Sequence, residues 1–298
     1  LFRSGDGNPG TVPTGTGSTN WGQPMEAVAP ASGWHDTTQK TFLGEDFPAG
    51  QTAPVELAHA LDVIFAKTTV APFISRQLIQ QLVTSNPSPA YVADIAAVFE
   101  NNGSGVKGDL AAVVHAIVMH PEASQTTLTN GKLEEPVLFI TSMMRAFGAT
   151  VSDHPFMTDH SEQMGQKVFY PGSVFSYFSP GFKVRGTNNG TGVPLTGPEF
   201  QGLTTVTALE RANFVGQLLG GWYNTWVTID YSPFTTKANN AAALVDFCNE
   251  TFMGGRMSPE HRTAVINAVS ATPAANEAER VRTAIYLTLA VAQGQVDR

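Results

Sequence analysis

The chain has 298 residues, of which only 14% are charged, and its formal net charge at pH 7 is −8. The 17 lysines and arginines form no cluster, which excludes an electrostatic nucleic-acid binder, and the single cysteine excludes a disulfide scaffold. The sequence holds no run of about 18 apolar residues, so it predicts no transmembrane segment.

The amino-terminal part of the chain differs from the rest in composition. Residues 1–54 are rich in glycine and proline and show no hydrophobic periodicity, so they are predicted to form an extended irregular arm. Residues 55–298 are predicted to form a single helical domain in which residues 150–197 are a long aromatic-rich loop insertion. Apolar residues at helical spacing and start and stop signals predict helices at about 55–67, 72–82, 89–101, 109–119, 133–147, 198–223, 239–252, 259–270 and 276–292.

These elements predict an all-α fold, a multi-helix orthogonal bundle with long irregular loops. Ser88 and Ser258 each precede a proline at a predicted helix start, and both are expected to act as caps. Cys248 lies within a predicted helix beside Phe247, which favours a buried structural thiol over a nucleophile.

The best local group for acid–base chemistry is His35 and Asp36 with Lys40 nearby. A carboxylate beside an imidazole tunes its pKa, and a neighbouring cation can hold an anion. The alternative interpretation is a hydrogen-bonded loop anchor. Two further carboxylates, Glu135 and Glu199, lie at predicted helix starts, where the helix dipole alone favours a negative charge.

A weaker group of metal-ligating residue types lies in the predicted loop. Asp153 and His154, with Asp159 and His160, place two imidazoles and two carboxylates within eight residues. Polar residues are common in loops, and the sequence otherwise predicts no metal and no cofactor.

Aromatic side chains crowd the same loop. They either plug the helical core or line a groove that binds a sugar or polymer, and the plug is the favoured interpretation. The residues concerned are Phe169, Tyr170, Phe175, Tyr177 and Phe178.

Several segments occur in an order that resembles the bacterial family known as domain of unknown function 1800. The resemblance covers residues 35–298 and depends on the order of motifs that are each weak alone. They are HDTTQKTFLG (35–44), APFISRQLI (71–79) leading into LVTSNPSPAYV (82–92), GKLEEPV (131–137), YPGSVF (170–175) and PEFQ (198–201), with Gly165-Gln166 before YPGSVF.

The resemblance implies a mostly helical fold and, commonly, export, so the protein is expected in the periplasm or outside the cell. No export signal follows Leu1, so a signal is expected to have been removed with an earlier segment. Family members are often encoded beside a sulfatase-like companion, which suggests work on polysaccharide or the cell surface. The chain resembles the carboxy-terminal half of a family member, so an amino-terminal half or a companion chain is an expected partner.

Two functions remain open at this point. The first is a hydrolase-like protein acting on polysaccharide or another surface polymer, with His35, Asp36 and Glu135 as catalytic candidates. Its substrate-binding candidates are Lys40, Arg76, Gln166, Tyr170, Ser173, Phe175 and Glu199. The second is a non-enzymatic secreted scaffold, or a surface-assembly or binding protein, in which Arg76, Glu135 and Asp36 form buried ion pairs that fix loops onto helices. Convergence on an open pocket favours the enzyme, and burial with satisfied partners favours the scaffold.

Overall fold

A computed structural model shows an all-α protein with short strand pairs between its helices. The chain divides into two units at Ile74 and Ser75, within one helix. No single helix in the described part is long and apolar enough to cross a membrane, although Ala53–Ala66 and Val70–Leu82 pass that test as a bent pair. The structure describes residues 2–4, 25–27, 35–125, 130–152, 155–173, 176–188 and 190–297.

The first unit contains two antiparallel strand pairs and a helix. Strand β1 (Phe2–Ser4) pairs with β2 (Met25–Ala27). Strand β3 (Lys40–Phe42) pairs with β4 (Glu45–Phe47), and Lys40 lies opposite Phe47. Helix α1 (Ala53–Ala66) follows, two residues earlier than the sequence predicts.

The β3–β4 hairpin corrects the expectation that this stretch is irregular. Its two-residue turn, Leu43 and Gly44, has φ values of 52° and 85°, the left-handed pair that a tight hairpin turn requires. Phe47 is buried and its ring stacks on His59 of α1, with 4.3 Å between the ring centroids. This contact holds the hairpin against the helix.

The second unit opens with helices whose starts the sequence predicts closely. Helix α2 (Val70–Leu82) is followed by α3 (Pro89–Glu100) and α4 (Leu110–Met119). The Ser88 hydroxyl accepts from the Tyr91 amide at 3.0 Å, which confirms the predicted cap.

Helix α4 buries less of its apolar stripe than the sequence predicts. Val113 and Ile117 are fully buried, whereas Leu110, Val114 and Val118 are exposed. The helix packs against α3, and the Tyr91 hydroxyl donates to the carbonyl of Ile117 at 2.6 Å. The buried side chains Val113 and Ile117 therefore pack toward α3, whereas the exposed apolar side chains of the helix face outward.

Seven further helices surround the main hydrophobic core. Large buried side chains such as Phe139, Phe214, Leu244 and Ile285 form its centre, together with Cys248, which is fully buried as predicted. Burial raises the pKa of the Cys248 thiol to about 12, so the thiol is protonated and inert at neutral pH. The helices are α5 (Pro136–Ala146), α6 (Phe156–Gln163), α7 (Thr205–Leu219), α8 (Ser232–Thr235), α9 (Ala241–Met253), α10 (Pro259–Ala271) and α11 (Glu277–Leu289).

Two of these helices differ from the sequence prediction. Helix α6 lies in the stretch predicted as loop, and its polar sequence has few apolar residues to signal a helix. The long helix predicted at 198–223 is instead a 3₁₀ turn, Pro198–Gly202, followed by α7. Thr204 breaks the two apart because its side chain caps α7 by accepting from the Thr207 amide at 3.1 Å.

Short strand pairs join distant parts of the second unit. Strand β5 (Lys132–Leu133) pairs with β8 (Val296–Asp297) near the end of the described chain. Strand β6 (Thr150–Val151) pairs with β7 (Val227–Thr228). The first pair positions the segment that leads into α5, where several candidate residues lie.

Candidate functional site

In the first unit, the group predicted around His35 is organised by a residue that sequence reasoning missed. Glu56, buried in the first turn of α1, has its Oε2 2.8 Å from Lys40 Nζ and 3.3 Å from His35 Nε2. Lys40 also donates to the carbonyl of Asp36. His35 Nε2 lies close to Glu56 but forms no hydrogen bond with the described residues.

Asp36 does not act on His35 in the way that the sequence suggests. Its carboxylate accepts from the Thr38 amide at 2.9 Å and from the Thr38 hydroxyl at 2.8 Å. These hydrogen bonds lower the pKa of Asp36, with a smaller contribution from Lys40. The carboxylate is therefore a turn-forming group, as the loop-anchor interpretation expects.

In the second unit, Lys132 is the centre of a buried network. Its Nζ lies 3.6 Å from Glu135 Oε1 and 3.4 Å from Glu199 Oε1. It also donates to the carbonyls of Gln80 and Gln81 at 3.3 and 3.2 Å. A lysine this deeply buried requires such partners, because an isolated charge in the interior is costly.

The remaining oxygens of the two carboxylates are also bound. Glu135 Oε2 accepts from Gln166 Nε2 at 2.6 Å, and Glu199 Oε2 accepts from the Ser85 hydroxyl at 2.6 Å. Gln166 in turn accepts from the Val137 amide at 2.9 Å, in the first turn of α5. The structure thus brings Glu135, Gln166 and Glu199 together, and adds Lys132 and Ser85 to them.

Sequence signals for Lys132 and Ser85 are slight. Both lie within the motifs that carry the family resemblance. Neither stands at a spacing from other polar residues that indicates a catalytic group. Their roles come from partners distant in sequence, which periodicity cannot reveal. The network contains one cation and two carboxylates, and its members are largely enclosed by protein.

Arg76 lies apart from this network and faces a polar cleft. Its Nη2 is 3.5 Å from the Thr196 hydroxyl, which also accepts from Lys183 Nζ at 2.7 Å. The cleft has a volume of about 480 Å³ and is lined by both cations. Lys183, like Glu56, Lys132 and Ser85, was not predicted from the sequence.

In the aromatic loop, some of the ring side chains pack against neighbouring residues and others are exposed. Tyr177 donates its hydroxyl to the carbonyl of Lys167 at 2.5 Å, and Phe178 packs on Gly202, where an added Cβ would come within 2.9 Å of the ring. Both are only partly buried, and neither belongs to the main hydrophobic core that the predicted plug would fill. Phe169 and Tyr170 are largely exposed, over 90% and 70% of their surfaces.

The exposed pair has an unusual backbone. Phe169 has a φ of 65°, in the left-handed region that bulky residues rarely adopt. Lys167 Nζ lies over the ring of Tyr170 at 5.2 Å from its centroid. We call Phe169 and Tyr170 the aromatic ledge.

A pocket follows the ledge along the chain. It has a volume of about 420 Å³ and is lined by Ser173, Tyr177, Phe178 and Gln201, among others. Ser173 therefore borders a pocket, whereas Phe175 lies outside the described residues.

The metal candidates do not form a site in the described part of the chain. Asp153 and His154 lie outside it, and Asp159 and His160 are on α6 rather than in a loop. His160 packs against Phe214 and Tyr223, each with 5.1 Å between ring centroids, and burial lowers the pKa of its imidazole. No group of three or more metal-ligating side chains occurs among the described residues.

Comparison with known proteins gives one match. A family model described as protein of unknown function (DUF1800) matches residues 11–295, nearly the whole chain, which confirms the resemblance inferred from the motifs. Neither a curated protein nor a solved structure matches the chain.

Proposed function

The chain belongs to the DUF1800 family of proteins of unknown function. We propose that it binds a cell-surface polysaccharide without cleaving it. The observation that carries the proposal is the aromatic ledge. The side chain of Phe169 is almost fully exposed, and its backbone is in the left-handed region, which is unfavourable for a bulky residue. Strain of this kind persists only where the surrounding structure imposes it, and it concentrates at sites of function.

The chemistry of the ledge suits a sugar polymer. An exposed aromatic ring offers a flat apolar face to the C–H groups of a pyranose, while hydroxyls need polar partners beside it. The pocket that follows the ledge supplies such partners in Ser173 and Gln201. Lys167, which lies over the Tyr170 ring and pairs with Glu162 at 3.0 Å, adds an ammonium group that can donate a hydrogen bond to a sugar oxygen or to an acidic substituent.

The carboxylate network supports binding rather than hydrolysis. A glycosidase needs one carboxyl group to protonate the leaving oxygen and another to act as nucleophile or base, and both must reach the substrate. Glu135 and Glu199 are instead directed at Lys132, and each also accepts a hydrogen bond of 2.6 Å. These groups fix the 131–137 motif to the loop before α7, which is the role that the scaffold hypothesis expects.

Affinity electrophoresis through gels that contain defined polysaccharides tests the proposal. The wild type is expected to be retarded by at least one neutral or acidic polysaccharide, and Phe169→Ala and Tyr170→Ala are expected to abolish the retardation. Trp222→Ala is the matched control, because Trp222 is 71% exposed but lies after α7, outside the ledge. Equal loss of retardation in all three variants, or none in the wild type, would refute the ledge as a binding site.

The location of the protein is part of the same proposal. The family resemblance supports export to the periplasm or beyond, where a surface polysaccharide is accessible. Fractionation of the natural host, with immunodetection of this chain, is expected to place it outside the cytoplasm. Detection only in the cytoplasmic fraction would contradict this part of the proposal.

A companion for the chain is also proposed from the family resemblance. Family members commonly carry an additional helical half, so an amino-terminal half or a separate chain is the expected partner. Native and denaturing mass measurements on protein from the natural source test this directly. A mass that corresponds only to this chain or its multiples would remove the proposed companion.

A further inference from the structure

Two cations in the second unit converge on one buried hydroxyl. Arg76 Nη2 lies 3.5 Å from Thr196 Oγ1, and Lys183 Nζ lies 2.7 Å from the same atom. The two charged nitrogens are therefore within about 6 Å of one another, and because both side chains are exposed, water screens part of their repulsion. An arrangement of this kind is stabilised when an anion lies between the two charges.

The backbone fixes both partners of this contact. Lys183 and Thr196 face each other in an antiparallel bridge. The Val184 amide donates to the carbonyl of Leu195 at 2.9 Å. The Thr196 amide donates to Asn86 Oδ1 at 2.9 Å, which ties the bridge to the segment before α3. The lysine is thus positioned by the loop's own hydrogen bonds and needs no ligand to hold it there.

The charges in the cleft do not cancel. Neither Arg76 nor Lys183 forms an ion pair within the residues that the structure describes. Glu122 also lines the cleft, but the Ser88 amide and hydroxyl bind its two oxygens at 2.9 and 2.5 Å. With two cations and one engaged carboxylate, the cleft is positive on a chain whose net charge is −8.

The cleft is open and polar enough to admit a ligand. Its volume is about 480 Å³, and the polar side chains of Asn86 and Asn130 border it beside the two cations. A guanidinium binds two oxygens of one oxyanion in a forked arrangement, and an ammonium adds a point charge to a third.

We propose that this cleft binds an oxyanion, namely a sulfate, phosphate or carboxylate group. The group is supplied either as a free ion or as a substituent on an acidic polymer. The inference depends on the Arg76–Thr196–Lys183 contact alone. It does not require the aromatic ledge to bind sugar, so the two proposals fail separately.

Isothermal titration calorimetry with sodium sulfate and sodium phosphate is the first test. Saturable binding is expected for at least one of these ions, weakened at least tenfold in Arg76→Ala and in Lys183→Gln. Lys183→Arg keeps the charge and is expected to retain binding within about threefold. The matched controls are Arg185→Ala, an exposed arginine in the same loop outside the cleft lining, and Arg145→Ala, an exposed arginine on α5.

A second titration distinguishes the sources of the anion. Dextran sulfate that binds at least tenfold more tightly than inorganic sulfate, with no binding of neutral dextran, indicates a polymer-borne group. Equal affinity per sulfate indicates a free ion. The proposal is overturned if no anion binds saturably. It is also overturned if the two control variants weaken binding as much as the cleft variants do. Circular dichroism of every variant shows whether it is folded.

Discussion

Lys132 and Glu199 form an ion pair in the interior of the second unit, with 3.4 Å between Nζ and Oε1. Both side chains are almost fully buried, and Glu135 Oε1 lies 3.6 Å from the same ammonium group. Pairing in such an environment is weak evidence for net stabilisation, but loss of one partner leaves an uncompensated buried charge. The network is therefore most sensitive to removal of its only cation.

Lys132→Met removes the ammonium group and keeps most of the apolar stem. Two carboxylates then remain buried without a cation, and the free energy of unfolding is expected to fall by about 3 to 5 kcal/mol in urea denaturation. Lys107→Met is the control, since the ion pair of Lys107 with Glu100 is partly exposed and is expected to contribute less than about 1 kcal/mol. A Lys132→Met protein as stable as the control would show that the network is not structural.

Gln166 joins Glu135 to the first turn of α5. Gln166→Leu leaves Glu135 Oε2 and the Val137 amide without a hydrogen-bonding partner, so we expect a loss of about 2 to 3 kcal/mol in the free energy of unfolding. Gln81→Leu, at an exposed position near the end of α2, is the matched control and is expected to stay within about 0.5 kcal/mol of the wild type. Comparable effects of the two changes would mean that Gln166 is not a structural link.

The sequence predicts local structure well where the signal is local. The caps at Ser88 and Ser258 and the bounds of most helices are set by residues within a turn of one another, and the structure agrees. Helix α6 and the β3–β4 hairpin were missed because one has a polar sequence and the other turns at Leu43-Gly44, without the usual asparagine or aspartate.

The candidate groups were predictable only in part, because their partners are distant in sequence. Glu135, Gln166 and Glu199 carry no shared local pattern, yet they meet through Lys132 and the Val137 amide. Glu56 lies in the helix that follows the β3–β4 hairpin, and only the folded hairpin brings it close to His35. Tertiary proximity of this kind cannot be derived from periodicity.

Substitution of Phe169 by glycine or alanine distinguishes the effect of backbone strain on stability from the effect of the ring on polysaccharide binding. Its φ of 65° is costly for any residue with a Cβ and almost free for glycine. Phe169→Gly is therefore expected to raise the free energy of unfolding by about 1 kcal/mol relative to Phe169→Ala, while both variants lose polysaccharide retention. Thermal denaturation of the pair measures the difference, and a less stable glycine variant would show that the backbone at this position is not strained.

His160 gives the protein a pH-dependent contribution to stability. Burial lowers the pKa of its imidazole from the ordinary 6.5, and this outweighs the opposite effects of Gln163, Asp159 and Glu210. The unfolded chain then binds the proton more readily than the folded one. This contribution is therefore complete above about pH 6.5 and is lost as the pH falls toward the lower folded pKa.

Replacement of His160 tests that dependence. His160→Phe keeps an aromatic ring against Phe214 and Tyr223 and is expected to show a smaller decrease in the urea midpoint between pH 7 and pH 5 than the wild type. His115→Phe, at an exposed position on α4, is expected to keep the wild-type decrease. If His160→Phe and the wild type lose stability in parallel, the buried imidazole is not the source.

We propose that this protein binds a polymer and does not hydrolyse it. The most direct test incubates the polysaccharide that retards the wild type with that protein and follows its chain length by size-exclusion chromatography. An unchanged elution profile is expected for the wild type, Glu135→Gln and His35→Ala alike. A progressive shortening by the wild type that either variant abolishes would contradict the proposal and would identify the protein as a hydrolase.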